Sequence, residues 1–212
     1  MSISLTLIFV IGTSIISIYA WQNQDLTRKW IFNPYSVNKY GQYYRFITSG
    51  FLHGSWLHLI FNMLVLWMFG EQVEAIFSAI YGPVIGKVIF GALYLIGIIV
   101  SDIPTFFKHR HAAYYNALGA SGGVSSILFS SILFNPNQEL CLYGLLCLPG
   151  IIWGVIYIIY SFYMGRQQSD NINHDAHLYG GLFGIVFTII AFPSVIPHFI
   201  EQLMQLKLFQ AN

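Results

Sequence analysis

Six runs of low charge divide this chain, each closed by polar residues or by Gly and Pro. They lie near residues 5–21, 57–77, 84–100, 118–134, 148–164 and 176–192. Tyr81-Gly82-Pro83 separates the second from the third. Asn135-Pro136-Asn137 closes the fourth, and Pro193 and Pro197 end the sixth. A bilayer crossing takes roughly 20 apolar residues, and backbone in lipid must satisfy its own hydrogen bonds, so the runs predict helices. The pattern predicts an all-α membrane protein of six transmembrane helices. No linker, repeat or composition break divides residues 1–212, which predicts a single six-helix membrane domain.

Two segments stand outside the runs. The connection 22–56 carries Trp30, Phe32, Tyr35, Tyr40, Tyr43, Tyr44, Phe46 and Phe51. Amphipathic rings favour the membrane–water interface, so this segment is expected to lie partly in the bilayer surface, the alternative being a solvated loop. Residues 200–209 read as a short amphipathic tail. The first 21 residues hold no charge, which fits a retained membrane helix better than a cleaved leader.

Composition sharpens this picture. Hydrophobic residues make up 56% and charged residues only 8%, against roughly 25% charged in soluble domains. A water-soluble enzyme and a disordered tail are thereby excluded. A formal net charge of +1 gives no electrostatic footprint for nucleic acid. The chain's Cys141 and Cys147 have no CxxC spacing and are expected as buried or reduced thiols.

Polar residues inside apolar helices are costly, so they are functional candidates. His58 and Asn62 stand at i and i+4, on one helix face. They can act as paired donors for a developing oxyanion, or as a polar pair bridging helices. Gly119-Ala120-Ser121-Gly122-Gly123 can start a helix with an exposed hydroxyl. Gly122, Ser126 and Ser130 continue it as a small-residue stripe, which ordinary close packing also explains. His177 sits above Gly181 and Gly184 on its own face, which suits a helix packed tightly on the Ser121 helix. A neutral His beside a Ser is the smallest activated nucleophile. Metal binding by His174 and His177 is the weaker reading: a third ligand is lacking and no HExxH occurs. Arg45, Glu71 and Glu74 read as structural pairing groups near the membrane edges, His53 as a structural hydrogen-bonding residue, and His109 and His111 as part of a solvated loop.

Together these residues resemble the rhomboid family of intramembrane serine proteases. Tyr44-Arg45 resembles the family's Trp-Arg motif, and His58 to Asn62 its HxxxN. Gly70 to Glu74 resembles the turn that follows, with Glu74 at the acidic position. Gly119-Ala120-Ser121-Gly122 matches GxSG, and Ala176-His177 with Gly180 and Gly184 matches AHxxG…G. The resemblance implies Ser121 as nucleophile and His177 as general base. It implies an oxyanion site from His58, Asn62 and the Ser121 N–H, with Arg45, Glu74, Gly119, Gly122, Gly180 and Gly184 as structural residues near the site. No cofactor and no metal are implied. Asp175 lies on a different helix face from His177 and is not a third member. Two departures stand out: Tyr44 replaces Trp, and Ser125 occupies a place where the family often carries an aromatic ring beneath the imidazole. Tyr179 is a possible replacement.

The implied activity is endoproteolysis of single-span or membrane-anchored protein substrates within the lipid bilayer, with no nucleic-acid partner. The alternative is a non-catalytic rhomboid-like protein that binds membrane clients. The resemblance implies a bacterial inner membrane and a site opening to the extracytoplasmic side. The charges pull the other way. Arg28, Lys29, Lys39, Arg45, Lys108, Arg110 and Arg166 fall on the presumed active-site side, with Lys87 and Lys207 opposite.

Overall fold

Ser4 starts the first helix, α1 (Leu5–Gln22), by accepting a bond from the Leu7 N–H. The computed structural model describes residues 4–142, 145–167 and 172–206. The connection after α1 is folded. It forms α2 (Gln24–Trp30), α3 (Pro34–Tyr40), α4 (Arg45–Thr48) and a 3-10 turn at Ser49–Phe51. Asn23 and Asn33 cap α2 and α3 through their side-chain oxygens, supplying partners for helix-start N–H groups. Gly41, at φ 66°, ends α3 in the left-handed conformation.

The larger helices are α5 (Trp56–Tyr81), α6 (Pro83–His109), α7 (Ser121–Phe134), α8 (Gly150–Gln167), α9 (His174–Ala191) and α10 (Val195–Met204). Among the described residues three helices, α1, α5 and α6, are long and apolar enough to cross a membrane. Helices α9 and α10, bent by 114°, would together make a fourth. The helices follow the six runs, but among the described residues these three or four alone meet the demands of a span. With 14 residues α7 is about 21 Å long, short of a hydrocarbon core of about 30 Å. Polar residues such as His174, Asp175 and His177 dilute α9.

Four local expectations need correction. The third run extends well past residue 100, because α6 continues through Pro104 to His109. The polarity of Ser101, Asp102 and Thr105 hid that extension, yet all three are buried. His109 therefore ends a helix, and its ring stacks on Tyr115 at 3.7 Å. Residues 70–74 are not a turn but continuous helix within α5. Gly70 is there to admit α1: a Cβ on it would come within 2.7 Å of Thr6. Finally, Cys141 and Cys147 are joined in a disulfide. Strands β1 (Glu139–Leu142) and β2 (Leu146–Pro149) form an antiparallel hairpin that sets the two cysteines opposite each other.

Helix α7 lies at the centre, against α5, α6 and α9. Its small residues make that position possible. A Cβ on Gly123 would fall 2.7 Å from the Tyr94 carbonyl of α6. On the other side, Gly180 and Gly184 of α9 press on the α7 backbone at Gly122 and Ser126. The Ser126 hydroxyl then lies 2.9 Å from the Gly180 carbonyl oxygen. At the far end of α1, Glu74 accepts from the Leu5 and Thr6 N–H groups and the Thr6 hydroxyl, each at 2.8 Å. This buried carboxylate caps α1 from α5, where the helix dipole favours negative charge. Lys87 lies 3.9 Å from it, and the Ser4 hydroxyl donates to Glu71.

Candidate active site

Helix α7 starts at Ser121 without a side-chain cap, since Ala120 holds the cap position. N–H groups of a first helical turn have no partner within their helix. The chain reaches Ser121 through Gly119, at φ 129°, a conformation that favours glycine. Gly119 also lies beneath the His58 ring: a Cβ there would sit 2.7 Å from it. The Gly119 N–H donates to the Ser49 carbonyl at 3.0 Å. The bend before Ser121 is thus held on one side by backbone and on the other by His58.

A cavity of about 620 Å³ opens at this point. Ser121 of α7, His177 of α9 and His58 and Asn62 of α5 all line it, with Tyr157 of α8 and Asn173. Asn62 is buried, and its side-chain N–H donates to the His58 carbonyl at 2.9 Å. An amide NH₂ has two donors, so one remains for the cavity. Of the ten residues singled out in the sequence, four line the cavity together. Gly119, Gly122, Gly180 and Gly184 stand in the backbone contacts that shape it. Arg45 and Glu74 lie elsewhere. Arg45 is buried and donates to the Arg28 carbonyl at 2.9 Å, the Ile31 carbonyl at 2.7 Å and Gln42 at 2.6 Å. It ties α2 to α4, and its guanidinium lies over the exposed Tyr44 ring.

His53 stands directly behind the site. It is buried, its ring meeting that of His58 edge to face at 4.9 Å. The Ser17 hydroxyl donates to the Phe51 carbonyl at 2.8 Å, so its oxygen accepts from His53 Nδ1 at 2.9 Å. That leaves Nε2 as acceptor for the Ala120 N–H, a long contact at 3.5 Å. Burial, helped by the neighbouring His58, pushes the His53 pKa down to about 3. The ring is neutral at physiological pH.

Sequence reasoning missed three participants. Tyr157 stacks on His177, with ring centroids 6.0 Å apart and planes at 29°. Tyr179 is 41% exposed and does not fill that place. Asn173 caps α9 through the Ala176 N–H, accepts from Thr105 at 3.0 Å and donates to Asp102 at 3.2 Å. Asp102 and Asn173 thereby fix the helix start that carries His177. Asp175 pairs with Lys108 at 2.8 Å, away from the cavity. Among the described residues no group of three or more His, Cys, Asp or Glu converges as a metal site.

The Rhomboid domain family matches residues 40–194. This covers more than half of the chain, and the protein belongs to the rhomboid family. It is 30% identical over 148 residues to the presenilin-associated rhomboid-like protein A, mitochondrial, of Danio rerio, covering 66% of this chain and 35% of that one. It is 27% identical over 174 residues to rhomboid-like protein 15 of Arabidopsis thaliana, covering 78% of this chain and 41% of that protein. A 45-residue stretch is 40% identical to the rhomboid protease GlpG of Yersinia pestis, covering 21% and 16% of the two chains. The chain thus spans well under half the length of these relatives. They come from animals, plants and bacteria, and do not single out a bacterial inner membrane.

Proposed function

We propose that this protein is an intramembrane serine endopeptidase acting on membrane-anchored protein substrates. The observation that carries the reading is the common cavity of Ser121, His177, His58 and Asn62. In this reading six helices, α1 and α5 to α9, form one domain in the bilayer, and the shortness of α7 sinks Ser121 below the membrane surface.

The Ser121 hydroxyl attacks the scissile carbonyl while His177 takes its proton. Charge develops on the carbonyl oxygen, and in this reading the second Asn62 N–H, His58 and the Ser121 backbone N–H are the donors that stabilise it. The C–N bond breaks as His177 passes the proton to the leaving amine. Water, deprotonated by His177, then attacks the acyl ester and restores Ser121. A helical substrate hides its carbonyls in hydrogen bonds, so segments that unwind readily are the preferred targets. Glycine contacts hold α7 closely against α9, the two helices that carry these groups.

The test is cleavage of a single-span model substrate by purified protein in detergent. Wild type cleaves it, and Ser121→Ala and His177→Ala each abolish cleavage in folded protein. The double variant loses little more than either single one, because the pair acts as a unit. Cleavage that persists in Ser121→Ala, or that wild type does not perform, sinks the reading. The latter outcome would favour the alternative, a binder of membrane clients.

A further inference from the structure

We propose that Tyr157 of α8 is the positioning residue for the His177 imidazole, an inference that rests on the protease reading of this cavity. Its ring lies against the imidazole, with centroids 6.0 Å apart and planes inclined by 29°. The opposite end of the same side chain is anchored: the Tyr157 hydroxyl is 2.6 Å from the Ser125 hydroxyl. Ser125 is one turn after Ser121, on the same face of α7. Phe129, a further turn along, meets the Tyr157 ring edge to face at 5.6 Å. The tyrosine is therefore referenced to the helix of the nucleophile while it bears on the base.

The chemistry gives this arrangement a purpose. His177 must aim one nitrogen at Ser121 both before and after it takes a proton. Imidazole rotation about its last torsion is soft, with broad, roughly two-fold wells. A flat ring fixed beside it narrows that freedom. The π face of the tyrosine also favours the imidazolium formed during attack. Offset aromatic pairs at such separations attract one another beyond what burial alone gives.

The location on α8 is itself informative. Gly154, Tyr157 and Ser161 lie on one face, and Gly154 and Ser161 are buried. A Cβ on Gly154 would stand 3.2 Å from Ile132 and 3.4 Å from Phe129, so α8 meets α7 closely there. Tyr160, three residues on, holds His174 edge to face at 5.5 Å. Helix α8 grips the start of α9 at two successive histidines. A small residue at 125 is what admits the tyrosine: a ring on α7 at that position would compete for the same space.

Three variants decide the matter: Tyr157→Leu, Tyr157→Phe and Ser125→Ala. Tyr157→Leu lowers kcat by on the order of 10–10²-fold, the scale of a small misplacement of a catalytic group, with KM nearly unchanged. Tyr157→Phe keeps the ring and recovers most of that loss, and Ser125→Ala resembles it. The second readout is spectroscopic. The ring-current shift of the His177 imidazole protons, assigned by difference against His177→Ala, collapses in Tyr157→Leu and survives in Tyr157→Phe. Wild-type kcat in Tyr157→Leu overturns the proposal, as does a loss that Phe fails to rescue and that follows thermal stability alone. Should wild type not cleave the substrate, the protease reading fails on its own, while the imidazole shift still reports whether Tyr157 holds the ring.

Discussion

Gly180 lies directly on the backbone of Gly122, so closely that a methyl group on Gly180 would overlap the Gly122 carbonyl oxygen. One turn later Gly184 stands in the same relation to Ser126. The separation of the helices that carry Ser121 and His177 is therefore set by hydrogen atoms where other residues have side chains.

Gly184→Val tests that setting. The added bulk meets backbone, which cannot swing aside, and the expected cost is about 1–3 kcal/mol of packing. A displacement of about 1 Å is enough to lower turnover by about 10²-fold. Thermal unfolding and single-turnover cleavage measure the two effects. Wild-type values in both would mean that the α7–α9 contact tolerates a side chain.

Asn62→Ala separates an oxyanion donor from a helix tie. Loss of one donor aimed at the developing charge lowers turnover by about 10²–10³-fold, with substrate binding almost unaffected. His58→Ala also lowers turnover. Were the pair only a tie between helices, the melting temperature would fall and turnover per folded molecule would not.

His53 makes stability depend on acidity. Its pKa is about 3 in the fold and near 6.5 in an unfolded chain. Between these values the unfolded chain binds a proton that the native protein does not, so stability rises with pH there. It is fully present above about pH 6.5 and is lost on acidification, by about 1.4 kcal/mol per pH unit at most. Protonation would also set an N–H against the Ala120 N–H, next to Ser121. Thermal midpoints of wild type and His53→Gln from pH 7.5 to 4.5 check this. The variant should show the flatter dependence, and parallel curves would remove His53 as the titrating group.

Glu74→Ala should loosen α1 without touching the chemistry. It leaves the Leu5 and Thr6 N–H groups without their carboxylate, at a cost of about 1–3 kcal/mol. Protease accessibility of α1 and the melting temperature should both change, whereas turnover per folded molecule should not. A drop in turnover at unchanged stability would instead tie Glu74 to the site.

Much of this site was legible before the fold was known, and the reason is local. Ser121 among glycines, His58 with Asn62, and His177 over Gly181 and Gly184 each betray themselves by polarity or smallness at helical spacing. Tyr157 does not. An aromatic in an apolar helix is ordinary, and its meaning comes only from α8 crossing near Ser125 and His177. Asp102 and Asn173 were hidden for a related reason: each looks like the polar end of a run until α6 and α9 are set side by side. The folded connection between α1 and α5 escaped notice because short capped helices leave no long period to read.

The hairpin between α7 and α8 bears on which way the protein faces. Helix α7 leads away from Ser121, so the Cys141–Cys147 bond and the nucleophile lie toward opposite ends of the helix. Disulfides persist in oxidising compartments and are rare where glutathione keeps thiols reduced. Were this bond closed in the cell, the hairpin would be expected on the oxidising side and the mouth of the cavity on the reducing one. The basic residues grouped near that mouth agree, since Lys and Arg accumulate on the cytoplasmic side of membrane proteins. Both arguments run against the orientation implied by the family resemblance. Reduction followed by a membrane-impermeant maleimide, applied to oriented vesicles from either side, reads the answer directly. Labelling of Cys141 and Cys147 from the oxidising side is the expected result, and labelling from the reducing side would restore the outward-opening arrangement.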